Sequence, residues 1–322
     1  MKKLILGTTE LKSRVILAPM AGVTDLPFRK IIREFGDFLM FSEMVASQAV
    51  IRNVMRTHQM MDNADDPLTS VQLVGAEPSV MADAAKLSCE LGAKFLDINM
   101  GCPVKKIVKS DAGSALMKNE KLASEIIEAV VNAVPIPVTL KMRLGWDFEH
   151  KNAPIIARIA ENAGIQMITI HGRTRSQLYS GKANWADIRA VKEAVNIPVI
   201  ANGDIINTTT ARIALEESQA DGVMIGRGAL GKPWILQDID EFINTGTISE
   251  KMHTNREKYE IAHRHLEYML DFYEIPTVVK LARKVLMYYC YGTHNASKYR
   301  QKINIIETIP AIFDILREMF QE

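Results

Sequence analysis

Eight short apolar segments, alternating with helical patterns, leave this 322-residue chain few ways to fold. They are Val15–Ala18, Leu39–Phe41, Ser70–Leu73, Phe95–Ile98, Val138–Lys141, Met167–Ile170, Val199–Ala201 and Gly222–Ile225. Each is brief, rich in β-branched or aliphatic residues, and runs into Gly, Pro, Asn, Asp or a charged residue. Segments apolar on both faces suit parallel strands covered by helices on either side. A doubly wound sheet and a barrel both satisfy that alternation. Eight units within roughly 250 residues match the (β/α)8 TIM barrel, which is the expected fold.

The intervening helices are legible. Ser79 to Leu91 follows Glu77-Pro78 and stops at Gly92, and Leu122 to Val134 stops before Pro135 and Pro137. Asn152 to Ala163 carries Pro154 near its start and Gly164 after its end, and Thr208 to Glu217 follows an Asn/Thr capping run. Strand signals cease near Phe242 to Thr247. From Glu250 to Gln321 the pattern is helical, broken at Ile275-Pro276 and at Tyr291-Gly292. The expected organisation is an α/β barrel domain over residues 1–245 and an all-helical domain over residues 246–322.

Composition narrows the class. A net charge of +1 excludes a broadly basic nucleic-acid binder, so any polyanion site must be a local patch. Cys89, Cys102 and Cys290 are odd in number and lack metal-site spacing, which predicts no metal and a reduced cytoplasmic setting. Met1-Lys2-Lys3 followed by Leu4-Ile5-Leu6 starts like a secretion signal, but Gly7-Thr8-Thr9-Glu10 ends the apolar run too early. No membrane-length segment comes after it, so no membrane partner is expected.

In a TIM barrel the chemistry lies at the C-terminal ends of the strands. Those ends carry Pro19-Met20-Ala21-Gly22, Glu43, Gln72, Asn99 with Cys102, Lys141 with Arg143, His171 with Arg173 and Arg175, Asn202-Gly203-Asp204, and Gly226-Arg227-Gly228. The last two groups come after strands seven and eight, where glycine lets backbone N–H groups approach a phosphate and an arginine adds a charged donor. Asp204 would repel a phosphate and is expected to cap the next helix. Lys141 ends an apolar run and needs an electron-rich partner, such as the anionic edge of a reduced flavin. Gln72 and His171 can hydrogen-bond a heterocycle edge, and Met20 offers a soft contact to a planar ring. Together these residues favour a phosphorylated planar cofactor.

Cys102 stands between Gly101 and Pro103, just past the strand Phe95–Ile98, on a loop that cannot be helical. Ala18-Pro19-Met20-Ala21-Gly22-Val23-Thr24-Asp25 and Asp97-Ile98-Asn99-Met100-Gly101-Cys102-Pro103, running on to Asp111-Ala112-Gly113-Ser114, resemble the tRNA-dihydrouridine synthase family in its bacterial DusB-like branch. The resemblance continues through Lys141-Met142-Arg143-Leu144-Gly145-Trp146, His171-Gly172-Arg173-Thr174-Arg175, Asn202-Gly203-Asp204-Ile205 and Gly226-Arg227-Gly228-Ala229. It covers the barrel from about Val15 to Trp234 and, more loosely, the helical C-terminal part.

That resemblance implies an FMN-containing barrel, a helical tRNA-binding domain, and NADPH-dependent reduction of uridine in the tRNA D-loop; the chain is expected to act as a monomer in the cytoplasm. Pro19, Met20, Ala21, Gln72, Lys141, His171, Asn202, Gly203, Asp204, Gly226 and Arg227 would surround FMN. Asn99, Cys102 and Arg143 would face the uracil, with Cys102 as proton donor. Arg173 and Arg175 would extend a tRNA-facing patch. That patch would draw on Lys280, Arg283, Lys284, Lys298, Arg300 and Lys302, interleaved with Tyr288, Tyr289, Tyr291 and Tyr299. From the residues alone, three alternatives stay open: a flavin barrel acting on a free pyrimidine, a flavin-free phosphate-binding lyase or isomerase, and a non-catalytic RNA-binding module.

Overall fold

In the computed structural model, which describes residues 3–52, 61, 66, 68–248 and 252–320, parallel strands laid down in sequence order close on themselves. Two short strands, β1 Leu4–Leu6 and β2 Thr9–Leu11, form an antiparallel hairpin. The barrel then runs through β3 Val15–Leu17, β4 Met40–Phe41, β5 Val45–Ala46, β6 Thr69–Val74 and β7 Leu96–Met100. It continues with β8 Val138–Arg143, β9 Ile168–His171, β10 Val199–Asn202 and β11 Gly222–Ile225. Neighbours pair in the order β3-β11-β10-β9-β8-β7-β6-β4. A parallel bridge between Ile16 and Leu39, with Leu17 N–H donating to Leu39 O at 3.0 Å, closes the ring. This is the expected TIM barrel. The second strand position is split, β4 and β5 each pairing with part of β6.

Four strands run further than their apolar residues. β7, β8, β9 and β10 extend through Asn99, Arg143, His171 and Asn202, which pair in register with their neighbours. Side-chain polarity at the mouth does not interrupt backbone pairing, so these groups sit on the ladder rather than on loops.

The opposite end is plugged. Leu4, Leu6 and Leu11 of the hairpin pack with the inward-facing Ile16, Phe41, Ile200 and Met224. Gly7 turns the hairpin at φ +60°, and its N–H donates at 2.6 Å to Oε1 of Gln166, two residues before β9. The N-terminal run read as a truncated signal is therefore a structural strand, except that Met1 and Lys2 lie outside the described residues.

Outside the barrel, helices Pro78–Glu90, Glu120–Ala133, Ala153–Ala163 and Thr208–Ser218 fall within two residues of expectation. Helices Leu26–Arg33, Ser47–Ile51, Ala186–Ala194 and Ile235–Thr245 lie on the same ring. Beyond Gly246 come Asn255–Phe272, Ile275–Cys290, Ala296–Asn304 and Ile309–Phe320, interrupted at both expected breaks. Glu250 and Gln321, the expected limits of that stretch, lie outside the described residues.

The C-terminal helices bury Leu266, Leu286, Ile303 and Leu316 among themselves, and their core takes in Ile31 and Trp234 from the barrel side. Full burial of one such aliphatic side chain contributes about 2 kcal/mol. Polar ties add direction to this docking. Arg264 and Tyr268 bond Glu34 at 2.8 and 3.0 Å, Tyr273 Oη donates to Asp25 at 2.9 Å, and Lys284 Nζ donates to Gly22 O at 2.8 Å. Gly22 belongs to the loop after β3, so the helices reach the barrel mouth. Among the described residues no helix is long and apolar enough to cross a membrane.

Candidate active site

The strand ends surround one cavity of about 1040 Å³. Its wall contains Pro19, Met20, Ala21, Gln72, Asn99, Cys102, Lys141, Arg143, His171, Asn202, Gly203, Asp204, Gly226 and Arg227. That volume is at the upper end for a small-ligand site and leaves room for more than one planar group.

Cys102 is held by its loop. Asn99 Oδ1 accepts from the N–H groups of Gly101 at 3.1 Å and Cys102 at 2.9 Å. Ser114 donates to Cys102 O through both its N–H, at 3.0 Å, and its hydroxyl, at 2.8 Å. Arg143 Nε donates to Gly101 O at 2.8 Å, tying the same loop to β8. Burial pushes the Cys102 thiol up, outweighing the Val104 N–H and the charges of Arg143 and Lys141, so it stays protonated at neutral pH.

Lys141 lies half-buried with Nζ 3.2 Å from Asn202 Oδ1. Burial and the neighbouring Arg143 bring its pKa down to about 8, so it remains an ammonium at neutral pH. His171 is driven well below its ordinary value by burial and by Lys141, Arg143, Arg173 and Arg227, and is neutral. Arg173 Nη1, which can only donate, lies 3.3 Å from Nε2, so Nε2 is the acceptor of the neutral ring and Nδ1–H is left as the donor for a heterocycle edge.

Several expectations change here. Asp204 does not cap the helix Thr208–Ser218. Asn207 does, its Oδ1 accepting from Thr210 N–H at 2.8 Å. Asp204 instead accepts from Arg173 Nη2 at 2.6 Å and from Ala183 N–H at 2.8 Å. Burial alone would raise its carboxyl, but these two bonds hold it below the usual range. Arg173, 2% exposed, gives its other donors to Ser180 O, Gly181 O and, through Nη1 at 3.3 Å, His171 Nε2. It lies outside the cavity wall, and so does Arg175, which stacks on Trp146 at 4.4 Å. Arg143 does line the cavity, although two of its nitrogens serve the carbonyls of Gly101, Thr174 and Leu178.

In the helical part, Tyr289 and Tyr299 are core residues, Arg283 serves Ile306 O, and Lys302 pairs with Glu318. Amphipathic helices need aromatic residues on their buried faces, so aromatic content alone could not separate core from patch. Lys284, Tyr288 and Tyr291 reach the cavity itself, and Tyr291 is 79% exposed. Tyr179 also lines the cavity, with no sequence signal pointing to it. Its ring lies 5.6 Å from the Arg143 guanidinium and 5.2 Å from that of Arg227. It sits in an irregular loop that carries no periodic signal to reveal it.

The residues fit a flavin nucleotide. A Cβ built on Gly226 would meet only Ala18 and Met20, each at 3.7 Å, so a side chain there would fill the cavity instead of clashing with the wall. Gly203, at φ +110°, and Gly228, whose Cβ would come 2.6 Å from Ile205 O, bring backbone close on the same side. Arg227 is exposed beside them. Lys141, Gln72 and His171 line the cavity with the polar groups that a flat heterocycle needs.

Fold and cavity together define a barrel enzyme that takes its ligands at the C-terminal mouth. Among solved structures, a 2-naphthoyl-CoA reductase complex aligns with a TM-score of 0.57 at 13% identity, covering 77% of this chain and 52% of that one. A histamine dehydrogenase from Rhizobium sp. 4-9 aligns with a TM-score of 0.60 at 12% identity, covering 100% and 64%. At those identities the likeness is one of fold. The sequence model of the family described as Dihydrouridine synthase (Dus) matches residues 16–320. A "Probable tRNA-dihydrouridine synthase" of Rickettsia bellii is 49% identical over 318 residues, 98% of this chain and 97% of the relative. The "tRNA-dihydrouridine synthase B" of Vibrio cholerae is 43% identical over 316 residues, covering 98% of each chain. The chain belongs to the dihydrouridine synthase family.

Proposed function

We propose that this protein reduces the C5=C6 bond of uridine in the D-loop of tRNA, with FMN as its cofactor and NADPH as reductant. The observation that carries this reading is the cavity itself: Cys102, the glycine loops after β10 and β11, and the helical-side Lys284, Tyr288 and Tyr291 all line it. When bound, FMN supplies hydride from N5 to C6 of the uracil. Everything else falls to the protein.

Asn202, Gly203, Gly226 and Arg227 hold the phosphate end, while Arg173 neutralises Asp204 beside it. Pro19, Met20 and Ala21 border the ring, and Gln72, Lys141 and His171 meet its polar edge. Cys102 gives its Sγ–H proton to C5, for which a thiol kept protonated by burial is suited. Arg143 keeps a positive charge beside the cavity, where carbonyl oxygens gain negative charge as C6 is reduced. Asn99 holds the Cys102 loop and, from the cavity wall, meets the uracil, while Arg173 and Arg175 lie behind that wall on the tRNA-facing side.

A uridine inside folded tRNA must leave its stack to enter. Tyr288 and Tyr291 offer aromatic planes along that path, and Lys284 a cation. The division at residues 245/246 then separates an FMN-binding barrel from tRNA-binding helices of the same chain, so one copy suffices, acting in the cytoplasm. With Cys102→Ala, NADPH should still reduce the flavin, while dihydrouridine formation, counted in tRNA by primer extension, should fall by more than ~10²-fold. Undiminished formation would end the reading.

A further inference from the structure

We infer that Asp97, which does not line the cavity, is a positioning residue: it dictates which way the Gln72 and Asn99 amides face and so fixes the Cys102 loop for proton delivery. The inference rests on Cys102 being the proton donor. Asp97 sits inside β7 at 1% exposure. Its Oδ1 accepts from Thr139 Oγ1 at 2.5 Å and its Oδ2 from Gln72 Nε2 at 2.6 Å. Gln72 Oε1 then accepts from Asn99 Nδ2 at 2.8 Å, which leaves Asn99 Oδ1 for the N–H groups of Gly101 and Cys102.

Direction is the point of this chain. The two ends of an amide have nearly the same shape, so Gln72 and Asn99 have no steric preference between their orientations. A carboxylate can only accept. It therefore forces Gln72 to present N–H inward and oxygen outward, and the order propagates to Asn99. Run in reverse, Asn99 would aim Nδ2 at two N–H donors, and the loop bearing Cys102 would lose both bonds. Burial raises the Asp97 carboxyl to about 6, opposed by Gln72, Thr139 and Lys141, which leaves it ionised at neutral pH. Strand pairing does not require the charge, because β7 already pairs with β6 and β8 through its backbone. A fully buried carboxylate is costly even when hydrogen-bonded, so its presence calls for a role of this kind.

The test uses the flavin-loaded enzyme and whole tRNA. Asp97→Leu should leave flavin reduction by NADPH within about twofold and cut single-turnover dihydrouridine formation about 10²-fold, the scale of a misplaced reacting group. Hydrogen exchange at the Gly101 and Cys102 amides should quicken in the same variant, while β8 stays protected. A polarity swap covers the case in which that variant fails to fold. Gln72→Glu sets two acceptors face to face and should lose the same amide protection. The double variant Asp97→Asn/Gln72→Glu lets the new amide donate to the new carboxylate, which still accepts from Asn99. It should regain protection and form product at least about tenfold faster than Gln72→Glu alone.

Wild-type protection and product formation in Asp97→Leu would overturn the inference, as would a double variant no better than the single. Cys102→Ala run in parallel separates the two claims. If it forms product normally, the acid assignment falls and the exchange data still decide the relay; if it is inactive while Asp97→Leu is not, the relay alone falls.

Discussion

Arg173 Nη2 donates to Asp204 Oδ2 at 2.6 Å, pairing a buried cation with the carboxylate nearest the glycine loops. The pair lets an acidic residue stand where a phosphate is expected, because its charge is already answered. Asp204→Ala should remove the anionic partner of Arg173 and lower stability in urea unfolding by about 1–2 kcal/mol, less than a fully buried pair because Asp204 is partly exposed and Arg173 keeps the carbonyls of Ser180 and Gly181. Asp204→Asn, which keeps an acceptor, should lose less than half of that.

Gly203 holds φ +110° with His171 and Ala183 against it, and an added Cβ would approach both at 2.9 Å. Gly203→Ala should therefore displace the His171 ring and release the cofactor. The measure is flavin absorbance near ~450 nm per mole of purified protein, since that colour belongs to the cofactor. Full retention of colour would remove Gly203 from the phosphate cradle.

Asp25 caps the helix Leu26–Arg33, and its pKa rises to about 6, chiefly through burial and with Glu43 adding to it. The Phe28 N–H, Tyr273 Oη and Arg29 pull the other way. A carboxyl raised above its ordinary 3.8 binds its proton more tightly in the folded state. Its stabilising contribution is complete below that ordinary value and is lost as pH rises to about 6. Asp25→Asn keeps a good cap and removes the loss. The melting temperature of the variant relative to wild type should thus be higher at pH 7.5 than at pH 4, and an equal offset at both would refute the shift.

Tyr291 lines the cavity from the helical side and is mostly solvent-exposed. Stacking of one base on an aromatic plane contributes about 1–3 kcal/mol, so Tyr291→Ala should weaken tRNA binding by about tenfold or more. Flavin content should not change. Lys284→Ala should in addition flatten the salt dependence of tRNA affinity, as expected when one phosphate contact is lost. Filter binding across a salt series reads both effects.

The barrel was readable because its signal is periodic: short strands apolar on both faces alternate with helices punctuated by Pro and Gly, and chain geometry leaves such units little choice of arrangement. The strand-end residues were readable for the same reason, since placing a strand also places the residues at its C-terminal end. The N-terminal hairpin was not, because six residues of strand carry too little pattern and its apolar residues find their partners only inside a closed barrel.

The sequence by itself determined the architecture and the inventory of the mouth, from Met20 and Gln72 through Cys102 and Lys141 to Gly226. Only the tertiary structure decided how those polar groups are spent. Asp204 turned from cap to partner of Arg173, Asn99 was found to hold the Cys102 loop from the cavity wall, and Asp97 to bond Gln72 and Thr139 inside β7. The reason is physical. Periodicity reports which face of an element is buried, whereas the direction of a hydrogen bond depends on which donors and acceptors distant strands bring within about 3 Å of one another.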